Sequence, residues 1–267
     1  MLGRQVKECS TKRVELKVEF LRPYGVAYLD QVMLAVRQKR EMKLASTYPQ
    51  VNRYLKQTSF EHLASRAPLS EPFPQNDIIR VTRFCGTPLD VETQVVSWLT
   101  ECVKPFLPRH SPLVWKKIVE NLWEIVHNGI QHGESEYGVS TCGQFYPQMG
   151  YFEMAVYDIG HGIPHKVKEF RAKAITASDC ECIDWAVQKG NSTLPFEKSA
   201  GLGLHLLREF LSINGGIFQI VSGTGYYDQI GNSPSSTTSL KNSIDGTLVN
   251  IRVIYDDHLY KMKGERL

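Results

Sequence analysis

Four short stretches of the chain hold residue types that do chemistry in combination. In "VENLWEIVHNGIQHG", Glu120, Glu124, Asn128 and His132 follow one another at intervals of four, so a helix sets them along one face. A solvated face favours lysine and glutamate, whereas this one ends in an asparagine and a histidine. Gly129, beside Asn128, admits a close backbone neighbour. In "VYDIGHGIP", Asp158 closes an apolar run. A carboxylate in that place accepts a hydrogen bond from a ligand amine while its neighbours exclude water. Gly160 and Gly162 would let a planar ring lie against bare backbone. The same residues also suit an ordinary turn from strand to helix. In "KSAGLGLHLLREF", Gly201 and Gly203 precede an apolar helical run whose first N–H groups can face phosphate oxygens. A P-loop is excluded, since GxxxxGK[ST] occurs nowhere. The polar "QKGNSTLPFEKSA" before the glycines, where a dinucleotide fold needs an apolar strand, argues against that fold too. The fourth stretch is "DGTLVNIRV", which contains Thr247.

These residues need helices and strands to position them. "SPLVWKKIVENLWEIVHNGIQHG" predicts a helix capped by Ser111, with Pro112 at its first position and Ile118, Leu122, Ile125, Val126 and Gly129 as its buried stripe. "LDVETQVVSWLTECVKPFL" predicts another before it, running to Pro108. "SDCECIDWAVQKG" and "GLGLHLLREFLSINGG" read as helices; "YFEMAVYD", "IFQIVSG" and "TLVNIRVIY" read as strands. "YGVSTCGQFYPQMG" reads as a hairpin or pocket-rim loop, and "TGYYDQIGNSPSSTTSLKNS" as a polar loop or irregular hairpin. Upstream, "VELKVEFL" alternates like a strand, a helix with Leu29, Val32, Met33 and Val36 on one stripe follows, and "EMKLAS", "YPQVNRYLKQTSF" and "NDIIRVTRF" continue as strand, helix and strand. The reading is an α/β protein with a small unit at residues 1–88, a larger domain at 89–257 and a tail at 258–267.

Composition narrows the partners. A net charge of +3 with dispersed lysines and arginines offers no basic stripe for nucleic acid. No apolar run approaches a membrane span, and the first residues lack the pattern of a signal peptide. Six scattered cysteines in 267 residues fit a reduced, cytoplasmic protein rather than a disulfide scaffold. Cys180 and Cys182, with His161 and His165 upstream, are too closely and eccentrically spaced for an ordinary zinc site and read better as helix and loop residues.

The order of the four stretches, over Trp115 to Tyr255, resembles the GHKL-type ATP-binding domain shared by gyrases, heat-shock chaperones, histidine kinases and MutL-type repair proteins. That resemblance implies a two-layer α/β sandwich with its sheet covered on one face by helices, binding ATP with Mg²⁺. On the family pattern Asn128 holds Mg²⁺ through the phosphates, and Glu124 corresponds to the carboxylate that activates water or a substrate hydroxyl. Asp158 binds the adenine amino group, Gly160 and Gly162 line the base pocket, and Thr247 touches adenine. Ser199, Gly201, Leu202, Gly203 and Leu204 cradle the phosphates, with Lys189, Ser192 and Thr193 in the lid. The short "SAGLGL" is most similar to serine-kinase anti-sigma factors, and the N-terminal unit resembles the STAS-type fold of their partners.

Two functional classes follow. One hydrolyses ATP or passes its γ-phosphate to a protein serine or threonine, with Glu124 as general base. The other only binds ATP and is a nucleotide-gated interaction switch. Glu124 favours the first, although a carboxylate there also suits a magnesium-linked water or a solvated face. His110 lies between Pro108 and Pro112, unlike a phospho-accepting histidine in an exposed helix, and only "DDHLYKMKGERL" follows Tyr255, too little for a transducer domain. The expected partner is a regulatory protein, or a second copy of the chain, bound through the N-terminal unit.

Overall fold

The computed structural model describes residues 12–37, 42–60, 77–131, 137–171, 176–191, 203–262 and 264–265. Its centre is a five-stranded sheet made of β3 (Ile78–Phe84), β4 (Val139–Tyr146), β5 (Tyr151–Asp158), β6 (Ile217–Ile230) and β7 (Ser236–Ile254). The spatial order is β3-β4-β5-β7-β6 and every pairing is antiparallel. Two further strands, β1 (Lys12–Leu16) and β2 (Met42–Ser46), form a separate parallel pair. They are joined through helix α1 (Pro23–Arg37), and α2 (Pro49–Gln57) follows β2.

All eight residues of β5 are buried, so this strand has no solvent face. The reason is that both faces of the sheet are covered. On one side Phe152, Met154 and Val156 pack against α3 (Pro88–Trp98), α4 (Pro112–Gln131) and α7 (Gly203–Asn214) through Val95, Leu122, Ile125 and Leu207. On the other, Cys142, Ala155 and Tyr157 meet Val26 and Ala27 of α1 and Val51 and Leu55 of α2. The sheet is therefore not covered by helices on one face alone, since the N-terminal unit supplies a second cover. β3, which lies upstream of residue 88, is hydrogen-bonded to β4 and so belongs to the same sheet.

Polar groups fix the N-terminal cover in register. Arg83 of β3 donates to both carboxylate oxygens of Asp30 on α1, at 2.7 and 2.5 Å, and Ser140 Oγ donates to Asp30 at 2.6 Å. Gln31 Nε2 donates to Ser140 Oγ at 2.8 Å. Glu153, 1% exposed, accepts from Arg22 at 2.8 Å and from Asn250 at 3.0 Å. Removing one member of such a buried pair leaves the other charge desolvated and unpaired. Asp30→Ala is accordingly expected to cost about 3 kcal/mol of unfolding free energy, measured by urea denaturation. A loss under about 1 kcal/mol would mean that the pair behaves like a surface ion pair.

Both segments that the sequence left open between loop and hairpin are hairpins. "YGVSTCGQFYPQMG" supplies β4 and a 3₁₀ turn, Pro147–Met149. "TGYYDQIGNSPSSTTSLKNS" supplies the distal halves of β6 and β7, paired from Gly225↔Ser239 to Asp228↔Ser236. Tertiary packing produces this order. Tyr227 is buried and meets Phe218 edge-on at 6.1 Å, and Ile183 of α6 (Asp179–Ala186) lies so close over Gly225 that a Cβ there would come within 2.6 Å of it. Asp179 accepts the Thr224 N–H at 2.9 Å and Lys168 Nζ at 2.9 Å, tying α6 to β6 and to α5 (Gly162–Phe170).

Candidate functional site

The site is built where β5 ends. Asp158, 5% exposed, is the last residue of that strand and pairs with Thr247 of β7. Burial pushes its carboxyl up to about 7 from the usual 3.8, against the opposing pull of hydrogen bonds from the Thr247 N–H and its own N–H. It belongs to the face of β5 that looks toward α4, because strand side chains alternate and Met154 and Val156 are already on that side. Gly129 of α4 closes the approach. A Cβ on Gly129 would stand 2.7 Å from Val139 Cγ2 and 3.4 Å from Asp158 Oδ2. The bare backbone at residue 129 is what lets the helix reach the carboxylate.

Asn128 directly precedes Gly129 and is half-buried, and Glu124, one turn earlier, is half-buried too. α4 forms over this stretch for reasons visible in the chain: Pro112 opens it, Ser111 Oγ accepts the Val114 N–H at 3.2 Å, and its apolar stripe lies on the core. The turn after Asp158 joins β5 to α5, so "DIGHGIP" is indeed a connection between a strand and a helix. It is also a tightly held one. Gly162 has φ +75°, and a Cβ there would come within 2.7 Å of both Gly246 O and Ser222 Oγ. Gly246 has φ +78° and lies directly against Asp158 O and Gly160 N. The Asp158–Gly162 turn and the Asp245–Thr247 segment thus face each other as backbone on backbone, a contact that only glycine permits.

Ser222 stitches the two together. Its Oγ donates to Gly246 O at 2.7 Å, accepts the Ile163 N–H at 2.9 Å and lies 3.1 Å from Thr247 Oγ1. Sequence reasoning missed Ser222, and also Gly129 and Gly246 as contacts of Asp158. A small polar residue ending "IFQIVS" before glycine was the only local signal for Ser222. Gly203 and the half-buried Leu204 begin α7, which packs along α4 through Leu207 and Leu211 in the shared core. Lys189 stands exposed in the turn beyond α6. Ser192, Thr193, Ser199, Gly201 and Leu202, assigned to lid and phosphate loop by resemblance, lie outside the described residues, as does His132.

The cysteine and histidine group comes apart. Cys182 is buried in α6 and Cys180 half-buried, while the exposed His161 and His165 rings stack 4.5 Å apart at the start of α5. Among the described residues no three His, Cys, Asp or Glu side chains are placed to hold a metal ion, and no helix is long and apolar enough to cross a membrane.

Chemically, the arrangement offers a buried acceptor, held by the backbone N–H groups of Thr247 and Asp158, beside a floor stripped of side chains by glycine. A helix face carrying an amide and a carboxylate runs past it. In comparison with known proteins, no family model, curated protein or solved structure matches the chain.

Proposed function

We propose that the chain binds ATP with Mg²⁺ between β5, α4 and α7, in the manner of the GHKL-type domains its motifs resemble, and uses it in phosphoryl chemistry. One observation carries this reading. Three stretches separated by some thirty and ninety residues in the chain, "HNG", "DIGHG" and "DGT", converge on one buried carboxylate, that of Asp158. An acid costs free energy to bury, and a structural role does not call for a glycine on each segment that approaches it.

In this reading the Asp158 carboxylate accepts the amino group of adenine, and the Thr247 N–H holds it in place. The glycine-lined backbone of 160–162 receives the flat base. The amide oxygen of Asn128, on the helix face that passes the pocket, would hold Mg²⁺ with the phosphates; the ion would neutralise the charge that develops on them. Glu124 takes the proton from an attacking hydroxyl, whether of water or of a protein serine or threonine. An ATP-gated switch with no turnover would use the same pocket without that proton transfer.

Asn128→Ala is expected to abolish the gain in ATP affinity that Mg²⁺ provides while leaving metal-free ADP binding within about twofold. Glu124→Gln is expected to keep nucleotide affinity and lower turnover by about a hundredfold or more. Calorimetric titration with ATP and ADP, with and without Mg²⁺, reads the first, and phosphate release or γ-label transfer reads the second. Binding without any turnover in the wild type would select the switch, and no binding at all would end the nucleotide reading.

A further inference from the structure

We propose that Tyr157 and Tyr28 are positioning residues through which the N-terminal unit holds the Asp245–Thr247 segment onto Asp158. The proposal rests on the nucleotide reading for its functional meaning, though the geometry it describes exists without ligand.

Tyr157 is the neighbour of Asp158 in β5, and alternation along the strand sends its ring to the opposite face, beneath the N-terminal cover. It is 1% exposed, and its Oη donates to the carbonyl oxygen of Asp245 at 2.8 Å. Burial pushes the phenol far above its ordinary range, so it stays a donor at every pH the protein meets. Tyr28 of α1 lies against it, ring centroids 5.3 Å apart at 37°. Asp245 is followed by Gly246, which presses on Asp158 O, and by Thr247, whose N–H holds the Asp158 carboxylate.

The segment is therefore gripped from both sides of the sheet. Ser222 holds the Gly246 carbonyl on the α4 side, and Tyr157 holds the Asp245 carbonyl from the N-terminal side. α1 itself is anchored to the sheet elsewhere, through Asp30 to Arg83 and Gln31 to Ser140. A shift of α1 along the sheet would be passed by Tyr28 to Tyr157. From there it reaches the backbone that fixes Asp158. A partner bound to the N-terminal unit gains by this route a means to loosen or tighten the pocket without touching it.

The test uses the full chain and three variants: Tyr157→Phe, Tyr28→Ala and, as a control in the same apolar cluster, Tyr54→Phe. Hydrogen exchange of the nucleotide-free proteins is followed by mass spectrometry, together with ATP and ADP titrations. Tyr157→Phe and Tyr28→Ala are expected to speed exchange over 245–247 and 159–163 by about tenfold, the equivalent of one ordinary hydrogen bond, with Tyr54→Phe unchanged there. Nucleotide affinity is expected to fall by a similar factor in the first two variants alone. Unchanged exchange over 245–247 in Tyr157→Phe, or an increase spread evenly over the whole protein, overturns the proposal. Tyr157→Phe keeps the ring and its packing, so the result does not depend on whether Tyr28→Ala folds well. If the wild type binds no nucleotide, the functional reading falls while the exchange data still decide the positioning role.

Discussion

Asp158→Asn is expected to weaken ATP and ADP binding by about a hundredfold and, at pH 8, to make the nucleotide-free protein more stable than the wild type. The two effects share one cause. In the wild type one side of the carboxylate is occupied by the Thr247 N–H. The asparagine oxygen must take that place, which turns the amide NH₂ toward the ligand and sets donor against donor. The stability effect follows from linkage. The folded-state pKa of Asp158, about 7, lies above the ordinary 3.8. The group therefore stabilises the fold below pH 3.8, and that contribution is lost as pH rises toward 7. Across the window the loss is on the order of 4 kcal/mol, which a neutral asparagine avoids. In the wild type, nucleotide affinity is expected to rise about tenfold from pH 6 to pH 8 as the carboxylate ionises. Titrations at those two pH values and urea melts at pH 8 measure both effects. A flat pH profile with Asp158→Asn binding normally would remove Asp158 from recognition.

The second large effect is Gly246→Ala. With φ +78° and its Cα directly against Asp158 O and Gly160 N, residue 246 has room for neither a β-carbon nor the backbone that a side chain prefers. The atoms an added β-carbon would meet, Asp158 O, Gly160 N and Asp158 C, are all main chain and cannot swing aside. The expected cost is at least about 3 kcal/mol, from left-handed backbone strain and steric displacement together. Gly190→Ala is the matched control, since it shares a left-handed φ of +82° and an added β-carbon there would have nothing within 4 Å among the described residues. Denaturation midpoints of the two variants separate sterics from backbone conformation. Equal losses would mean that the close approach at Gly246 relaxes at no expense.

Much of this site was legible because it rests on local signals. Pro112 and Ser111 mark the start of α4, and Asp-x-Gly-x-Gly after an apolar run marks the end of β5. What was not legible depended on distant partners. For the distal halves of β6 and β7 the sequence left loop and irregular hairpin open, because their polar residues make no strand pattern and Ile183 packing on Gly225 is a contact no window of sequence contains. The N-terminal cover on the second sheet face was likewise invisible, since "YFEMAVYD" reads as a strand whether one face is buried or both. Glu153 in that run was the available hint. A buried carboxylate needs cations, and Arg22 comes from the residue just before α1, 131 positions earlier. The alternation that places Tyr157 behind Asp158 was readable, but its acceptor, a backbone carbonyl, has no signature in residue types.

The position of β7 has a consequence for how the protein is made. Of the five strands in this sheet it is the last to be synthesised, yet it lies between β5 and β6. Until residues 236–254 are synthesised, β5 and β6 cannot be joined, and each presents an unpaired edge. A nascent chain ending near residue 235 therefore holds Asp158 without Thr247, and a half-sheet open to mispairing. Delivery of Thr247 to Asp158 and closure of the sheet become one event, and the vulnerable interval before it is when a chaperone would have most to do.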